Sequence, residues 1–181
     1  MKVTQLGPAG VLLLEPQAFG DARGWFMEGW KKDRYRDAGI ELDFVQFNVS
    51  RSAQGVLRGL HFQEPNPQGK LVMALHGAVF DVAVDIRVDS PTFGQWWGAD
   101  LTDQNHHQLW VPPGFAHGFE VLSETALFAY LVTESYQPEN DRAIRFDDPE
   151  IGVAWKTAEA QLSAKDQAAP LLKDARALPR Y

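Results

Sequence analysis

Cysteine is absent from the 181 residues, which excludes disulfide frameworks, thiolate metal sites and thiol nucleophiles together. The first ten residues, Met1 to Gly10, hold no apolar core long enough for a signal peptide, and Val11 to Leu14 is only a short apolar run. The sequence is therefore expected neither to cross nor to enter a membrane, and to work in the cytoplasm. Positive charge is scarce: 17 Lys and Arg stand against 24 Asp and Glu, a formal net charge of -7. A polyphosphate partner needs a basic face that this chain lacks in bulk, so nucleic acid and anionic membrane are disfavoured as partners. A local basic pocket for one small anion stays open. No linker, low-complexity segment or internal repeat stands out, and 45% hydrophobic with 12% aromatic residues suffices for one good core, so residues 1–181 are expected to form a single domain.

What is present is a series of short runs rich in Val, Ile, Phe and Trp, punctuated by Gly, Pro, Asn and Asp. The pattern predicts an all-β fold with strands at Val11–Leu14, Phe44–Ser50, Val56–Phe62, Leu71–Leu75, Val79–Arg87, Gln95–Leu101, His107–Val111, Gly118–Val121 and Ala126–Thr133. Their spacing suits a sandwich or jelly roll. Val79 to Arg87 alternates best, with Phe80, Val82, Val84 and Ile86 on an expected core face and Asp81, Ala83, Asp85 and Arg87 on an expected polar one. Helices are expected to be few: Lys31 to Ala38, ended by Gly39, and Lys165 to Lys173, broken at Pro170.

The run from Gly55 to Lys70 sets Arg58, His61 and Lys70 into apolar, glycine-punctuated sequence. A strand built only for packing has no use for them, because an unpartnered buried cation or polar group costs several kcal/mol in order of magnitude. Two further segments carry chemistry: Asp21 to Glu28, with Arg23 and Glu28 among aromatics, and Val111 to Phe119, where His117 follows a Pro-Pro-Gly turn. Gly55-x5-His61 and Pro112-x-Gly114-x2-His117 resemble the half-motifs of the cupin barrel. In metal-binding cupins a second histidine follows two residues after the first, where this chain has Gln63, and the late ligand position of the second motif holds Val121. His61 and His117 alone fall short of the three protein ligands a divalent site wants, so no metal is expected.

Asp21-x-Arg23-Gly24-x-Phe26-x-Glu28, Gln46-x-Asn48-x-Ser50, Gly55 to Gln63, Gln68-Gly69-Lys70, Asp81 to Arg87, Ser90 to Gly94 and Gly114 to Phe119 together resemble the dTDP-4-dehydrorhamnose 3,5-epimerases. The resemblance spans nearly the whole chain. It implies a cofactor-free jelly-roll enzyme, a double-stranded β-helix with a few short helices, acting on a dTDP-sugar substrate as a homodimer, with the N-terminal arm exchanged between subunits. Carried over by motif, His61 is the general base, Tyr130 the general acid and Asp166 the partner that orients His61, while Lys70 falls on a substrate-binding position where a desolvated cation suits the developing charge of an enolate oxygen. Arg23, Glu28, Gln46, Asn48, Arg58, His117, Asp141 and Lys165 fall on substrate-binding positions, and Phe26 is a candidate to stack on the nucleotide base. Asp141 stands where glutamate is more familiar. The resemblance leaves open a 3-only or 5-only epimerase or a ketoisomerase.

Each assignment has a plainer rival. His61 and Tyr130 read alone are core residues with a hydrogen-bonded polar tip, and His117 could cap its loop. Ser163-x-x-Asp166 reads as a capping-box variant, a role expected to compete with orienting His61. Arg23 and Glu28 could be a surface ion pair of little energetic weight, and Asp81 and Asp85 solvated strand charges. A metal-dependent cupin and a non-catalytic sugar-binding jelly roll are the readings from other classes. Strict alternation also puts Arg58 and His61 on opposite faces of a regular strand, so a site containing both requires a bulge or twist, expected at Gly59.

Overall fold

The computed structural model describes residues 1–157 and 159–181. Among these, thirteen strands dominate. In chain order they begin with β1 (Lys2–Leu6), β2 (Val11–Glu15), β3 (Ala18–Asp21) and β4 (Gly24–Met27), followed by the helix α1 (Lys32–Asp37). There follow β5 (Gln46–Ala53), β6 (Leu57–Gln63), β7 (Lys70–His76), β8 (Ala78–Asp85), β9 (Trp96–Thr102), β10 (Gln108–Val111), β11 (Phe115–Val121) and β12 (Thr125–Val132). The chain ends with β13 (Asp141–Ala143) and the one-turn helix α2 (Ala164–Gln167), with 3-10 turns at Pro138–Asn140 and Leu172–Asp174. One sheet runs β1-β2-β10-β7-β12-β5, a second β13-β6-β11-β8-β9, and β3 and β4 form a separate hairpin. The expected all-β jelly-roll class holds, and the nine expected strands are present with shifted ends. No helix among the described residues is long and apolar enough to cross a membrane.

The four strands that apolar patterning misses have a common cause. β1, β3 and β4 are largely exposed, and β13 is a short Asp-Arg-Ala piece. They exist because neighbouring backbones offer partners, and a pattern in the side chains has nothing to record. The two main sheets pack face to face on Val72, Leu109, Val111 and Phe128 from one and Val79, Ala83, Leu101, Phe115 and Phe119 from the other. A second cluster lies on the outer face of the five-stranded sheet, where Phe80, Val82, Val84 and Ile86 meet Ile144, Ile151 and Leu172 from the C-terminal segment. A third puts Tyr35 and Ile40, from and just after α1, against Leu14, Leu71 and Trp110.

These clusters correct the reading of β8. Its apolar face does pack, but against the C-terminal cover, and the face expected to be polar points into the sandwich, where Asp81, Ala83 and Asp85 are wholly buried. Neither aspartate is solvated. Asp85 accepts hydrogen bonds from the Arg87 guanidinium at 2.8 and 2.9 Å and from the Ser90 and Thr92 hydroxyls, each at 2.6 Å. A buried charge met by that many donors fixes the turn that follows β8. The C-terminal segment is held in the same way. Asp148 receives the N–H groups of Glu150, Ile151 and Leu172, and the buried Glu120 receives those of Lys156 and Thr157.

The bulge expected at Gly59 is present. Across the β6–β11 ladder His61 faces His117 and Arg58 faces Phe119, so three steps on β6 oppose two on β11. Paired residues share a face, and the inserted residue therefore turns Arg58 and His61 to the same, inward side. Gly59 has φ +126°, and a Cβ there would sit 2.6 Å from Gly118 Cα and 2.8 Å from the His117 carbonyl oxygen. Both the backbone angle and the space demand glycine. Gly59→Ala should cost at least about 2 kcal/mol in urea unfolding, whereas Gly29→Ala, where a Cβ meets nothing within 4 Å, should leave stability close to wild type.

Candidate active site

At the β5–β12–β7 end the inward rows of the sandwich turn from apolar to polar and leave a cavity in two lobes. β5 contributes every second side chain, Gln46, Asn48 and Ser50, and β12 and β7 contribute Tyr130 and Lys70 from the same sheet. The opposite wall carries Arg58 and His61 from β6, His117 from β11 and Asp141 from β13. One lobe, of about 270 Å³, is bounded by Gln46, Asn48, Gln63, Asp141 and the loop residues Gln68 and Tyr136. The other, about 240 Å³, is bounded by Ser50, Arg58, His117, Phe119 and Phe128. His61, Lys70 and Tyr130 line both, so His61 looks across at Tyr130 and Lys70 from the facing sheet.

Several of these polar groups are held by specific partners. His61 Nε2 lies 2.5 Å from Asp166 Oδ1, which leaves Nδ1 as the basic nitrogen when Nε2 carries the proton. Asp166 also serves the start of α2: Ser163 Oγ accepts the Asp166 N–H at 3.1 Å and donates to Asp166 Oδ2 at 2.8 Å. The two roles expected to compete are divided between the two carboxylate oxygens, and the cap becomes the device that fixes the carboxylate beside His61. Burial pushes the Asp166 carboxyl upward, but the His61 hydrogen bond and charge, the Ser163 hydroxyl and Lys165 outweigh it and hold the pKa below the ordinary aspartate value. His117 is no loop cap either: it lies within β11, buried, with Nε2 at 2.9 and 3.0 Å from the two oxygens of Asp81. Burial raises the Asp81 pKa, opposed by the charge and hydrogen bond of His117 and by Lys70.

Lys70 is 8% exposed and has no carboxylate within salt-bridge distance among the described residues. Burial lowers its pKa to about 8 against the raising influence of Asp141 and Asp81. It is a cation held ready with its counter-charges at a distance, the arrangement that stabilises an oxyanion formed beside it. Burial raises the Tyr130 pKa, partly offset by Arg58 and added to by Asp141, so the phenol keeps its proton. Arg58 Nε and Nη2 both donate to Ser52 Oγ, at 3.1 and 3.0 Å. Gln46 donates to Asn48 Oδ1 at 2.7 Å and accepts the Tyr136 N–H at 2.9 Å. Lys165 pairs with Asp141 at the rim and lines the neighbouring groove rather than the cavity itself.

Arg23, Phe26 and Glu28 are not brought to this cavity within one chain. They sit on or beside the β3–β4 hairpin, where Arg23 grips Asp21, Phe26 is 70% exposed, and Glu28 lies 3.1 Å from Arg34. The surface ion pair envisaged between Arg23 and Glu28 does not form. Tyr136, whose hydroxyl donates to Asp141 at 3.0 Å, and the loop clamp Gln63, which donates to the Asn66 carbonyl and accepts the Gln137 N–H, are site-shaping residues that sequence reasoning missed. Ser50 and Ser52 could have been found by continuing the two-residue period from Gln46 and Asn48. Tyr136 lies in a loop with no period to follow. No group of three His, Asp or Glu side chains among the described residues is placed to hold a metal ion, and each of the two cavity histidines has Nε2 against a carboxylate.

The family model described as dTDP-4-dehydrorhamnose 3,5-epimerase matches residues 5–174. A protein of that name from Pseudomonas aeruginosa is 50% identical over 99% of this chain and 100% of its own. A dTDP-4-dehydrorhamnose 3-epimerase from Streptomyces niveus is 40% identical over 100% of this chain and 90% of its own. Among solved structures, the dTDP-6-deoxy-D-glucose-3,5-epimerase of Legionella pneumophila in complex with dTDP-4-keto-L-rhamnose superimposes with a TM-score of 0.96 at 50% identity, covering 99% of this chain and 98% of that one.

Proposed function

The chain belongs to the dTDP-4-dehydrorhamnose 3,5-epimerase family, and from that premise we propose how its cavity works. The protein is an isomerase that inverts C3 and C5 of dTDP-4-dehydro-6-deoxy-D-glucose, giving dTDP-4-dehydro-L-rhamnose in dTDP-rhamnose biosynthesis. The observation that carries the mechanism is the meeting of the His61–Asp166 pair, Tyr130 and Lys70 around one cavity, with base and acid on opposite sheets.

The protons at C3 and C5 are acidic because each carbon adjoins the C4 ketone. His61 removes one, and Asp166 holds its ring and stabilises the imidazolium formed. The electron pair moves onto the C4 oxygen, where the Lys70 ammonium meets the enolate charge. Tyr130 donates a proton to the opposite face of the carbon, the ketone reforms with inverted configuration, and solvent exchange resets base and acid for the second carbon. No redox change occurs, and the residues named supply every proton transfer. Arg58 suits a diphosphate oxygen by its planar fork, pre-set by Ser52. Gln46, Asn48, His117, Asp141 and Lys165 serve to hold the rest of the ligand.

Residues 1–181 act as one domain, in the cytoplasm, and as a homodimer. Phe47 and Val49 lie on the outer face of β5 and Leu75 on that of β7, separated by β12, at 56, 50 and 42% exposure, apolar side chains that a second copy would cover. The β3–β4 hairpin, with Arg23 and Phe26 unused by its own cavity, would then complete the partner's.

In heavy water, with dTDP-4-keto-6-deoxyglucose and no added metal, wild type should lose the C3 and C5 proton signals in NMR. His61→Ala should lose neither, and Tyr130→Phe should slow the reaction by about 10²–10⁴. Retention of both signals in wild type would sink the mechanism. Above about pH 8 Lys70 gives up its proton, so kcat/KM should decline on that side, and Lys70→Met should lack this alkaline limb. Phe47→Glu together with Val49→Glu should yield monomers in sedimentation, with binding of dTDP weakened.

A further inference from the structure

We propose that the stacked Phe119–Phe128 pair recognises the C6 methyl group of the sugar and thereby selects 6-deoxy over 6-hydroxy substrates. The wall can have this role only if the cavity performs the reaction assigned above. Phe119 and Phe128 have ring centroids 4.1 Å apart at 25° and line the strand-bounded lobe together with Ser50, Arg58, His61, Lys70, His117 and Tyr130. Among the described residues they are the only ones lining that lobe whose side chains lack a polar atom. In the other lobe the one apolar side chain among the described residues is Phe62, which packs into the cluster under the C-terminal segment.

A 4-keto-6-deoxy sugar carries the diphosphate at C1, hydroxyls at C2 and C3 and a carbonyl at C4. Its single apolar substituent is C6. Exchange at both C3 and C5 requires the ring to lie where His61, Lys70 and Tyr130 converge, which is the junction of the two lobes. Arg58, which suits the diphosphate on C1, lines the same lobe as the phenylalanines, and because C1 and C5 both flank the ring oxygen, the edge of the ring that carries the diphosphate into that lobe carries C6 with it. Phe119 comes from β11 of one sheet and Phe128 from β12 of the other, so the apolar surface spans both walls. Inversion at C5 moves the methyl from one face of the ring to the other, and a wall that spans both sheets contacts it before and after. A 6-hydroxyl in its place would lose its water and find no partner on either ring.

Wild type should use the 6-hydroxy counterpart, dTDP-4-ketoglucose, with kcat/KM about 100-fold below that for the 6-deoxy sugar, read as deuterium entry at C3 and C5. Phe119→Gln should narrow that ratio about tenfold, and Phe119→Leu should preserve it. Should a variant fold poorly, wild type decides alone: on binding dTDP-L-rhamnose, which has no ketone and does not react, the C6 methyl resonance should move upfield in the ring current. Equal use of the two sugars, or an unmoved methyl resonance, overturns the role of the wall and leaves the epimerase reaction standing. Absence of exchange with the 6-deoxy sugar overturns both.

Discussion

A carboxylate removed from water has to be met by donors, and much of this architecture follows from where the chain places such groups. Asp81, Asp85, Glu120, Asp148 and Asp166 are all buried, and each is matched. Two of them face the site histidines and three or more N–H or O–H groups meet each of Asp85 and Asp148. The C-terminal segment has little regular structure to hold it in place. It is kept on the outer face of the five-stranded sheet by Asp148 and Glu120 as much as by apolar contact, and its own Asp166 reaches back to His61. Removing one donor would leave an unpaired buried charge, which costs more than the pair contributes.

The second constraint is register. In a pleated strand a one-residue shift exchanges the two faces, and the bulge in β6 uses this to place Arg58, His61 and Gln63 all inward. Gly118 on β11 matches it from the other side, since a Cβ there would lie 2.8 Å from the Arg58 carbonyl oxygen. Two glycines facing each other across a ladder thus decide which side chains face the cavity, although neither is among its lining residues.

Much of this was legible in the sequence for identifiable reasons. The buried strands announce themselves through apolar runs, the Gly59 irregularity follows from the expectation that Arg58 and His61 face one cavity, and linked motifs pointed to His61, Tyr130, Lys70 and Asp166, which the fold brings together. What escaped was set by tertiary contact. β8 looked half-solvated because its sequence alternates, yet the sandwich buries its charged face and the C-terminal segment buries the other. β13 and Tyr136 occupy their places through pairing with β6 and through the clamp of Gln63, neither of which leaves a local pattern. Asp166 looked forced to choose between two partners because a sequence does not reveal that its two oxygens point apart.

β5 is the edge strand of its sheet, and its two faces have different occupants. Gln46, Asn48 and Ser50 look into the cavity, while Phe47 and Val49 between them look outward. Five consecutive residues therefore alternate between the cavity and an apolar exterior. Were a second copy to cover that exterior, and were its docking to tighten the cavity side of the strand, thermodynamic reciprocity would require that ligand strengthen assembly as much as assembly strengthens ligand binding. Affinity in a protein coupled in that way varies with its own concentration, and dilution alone would then loosen its hold on a ligand.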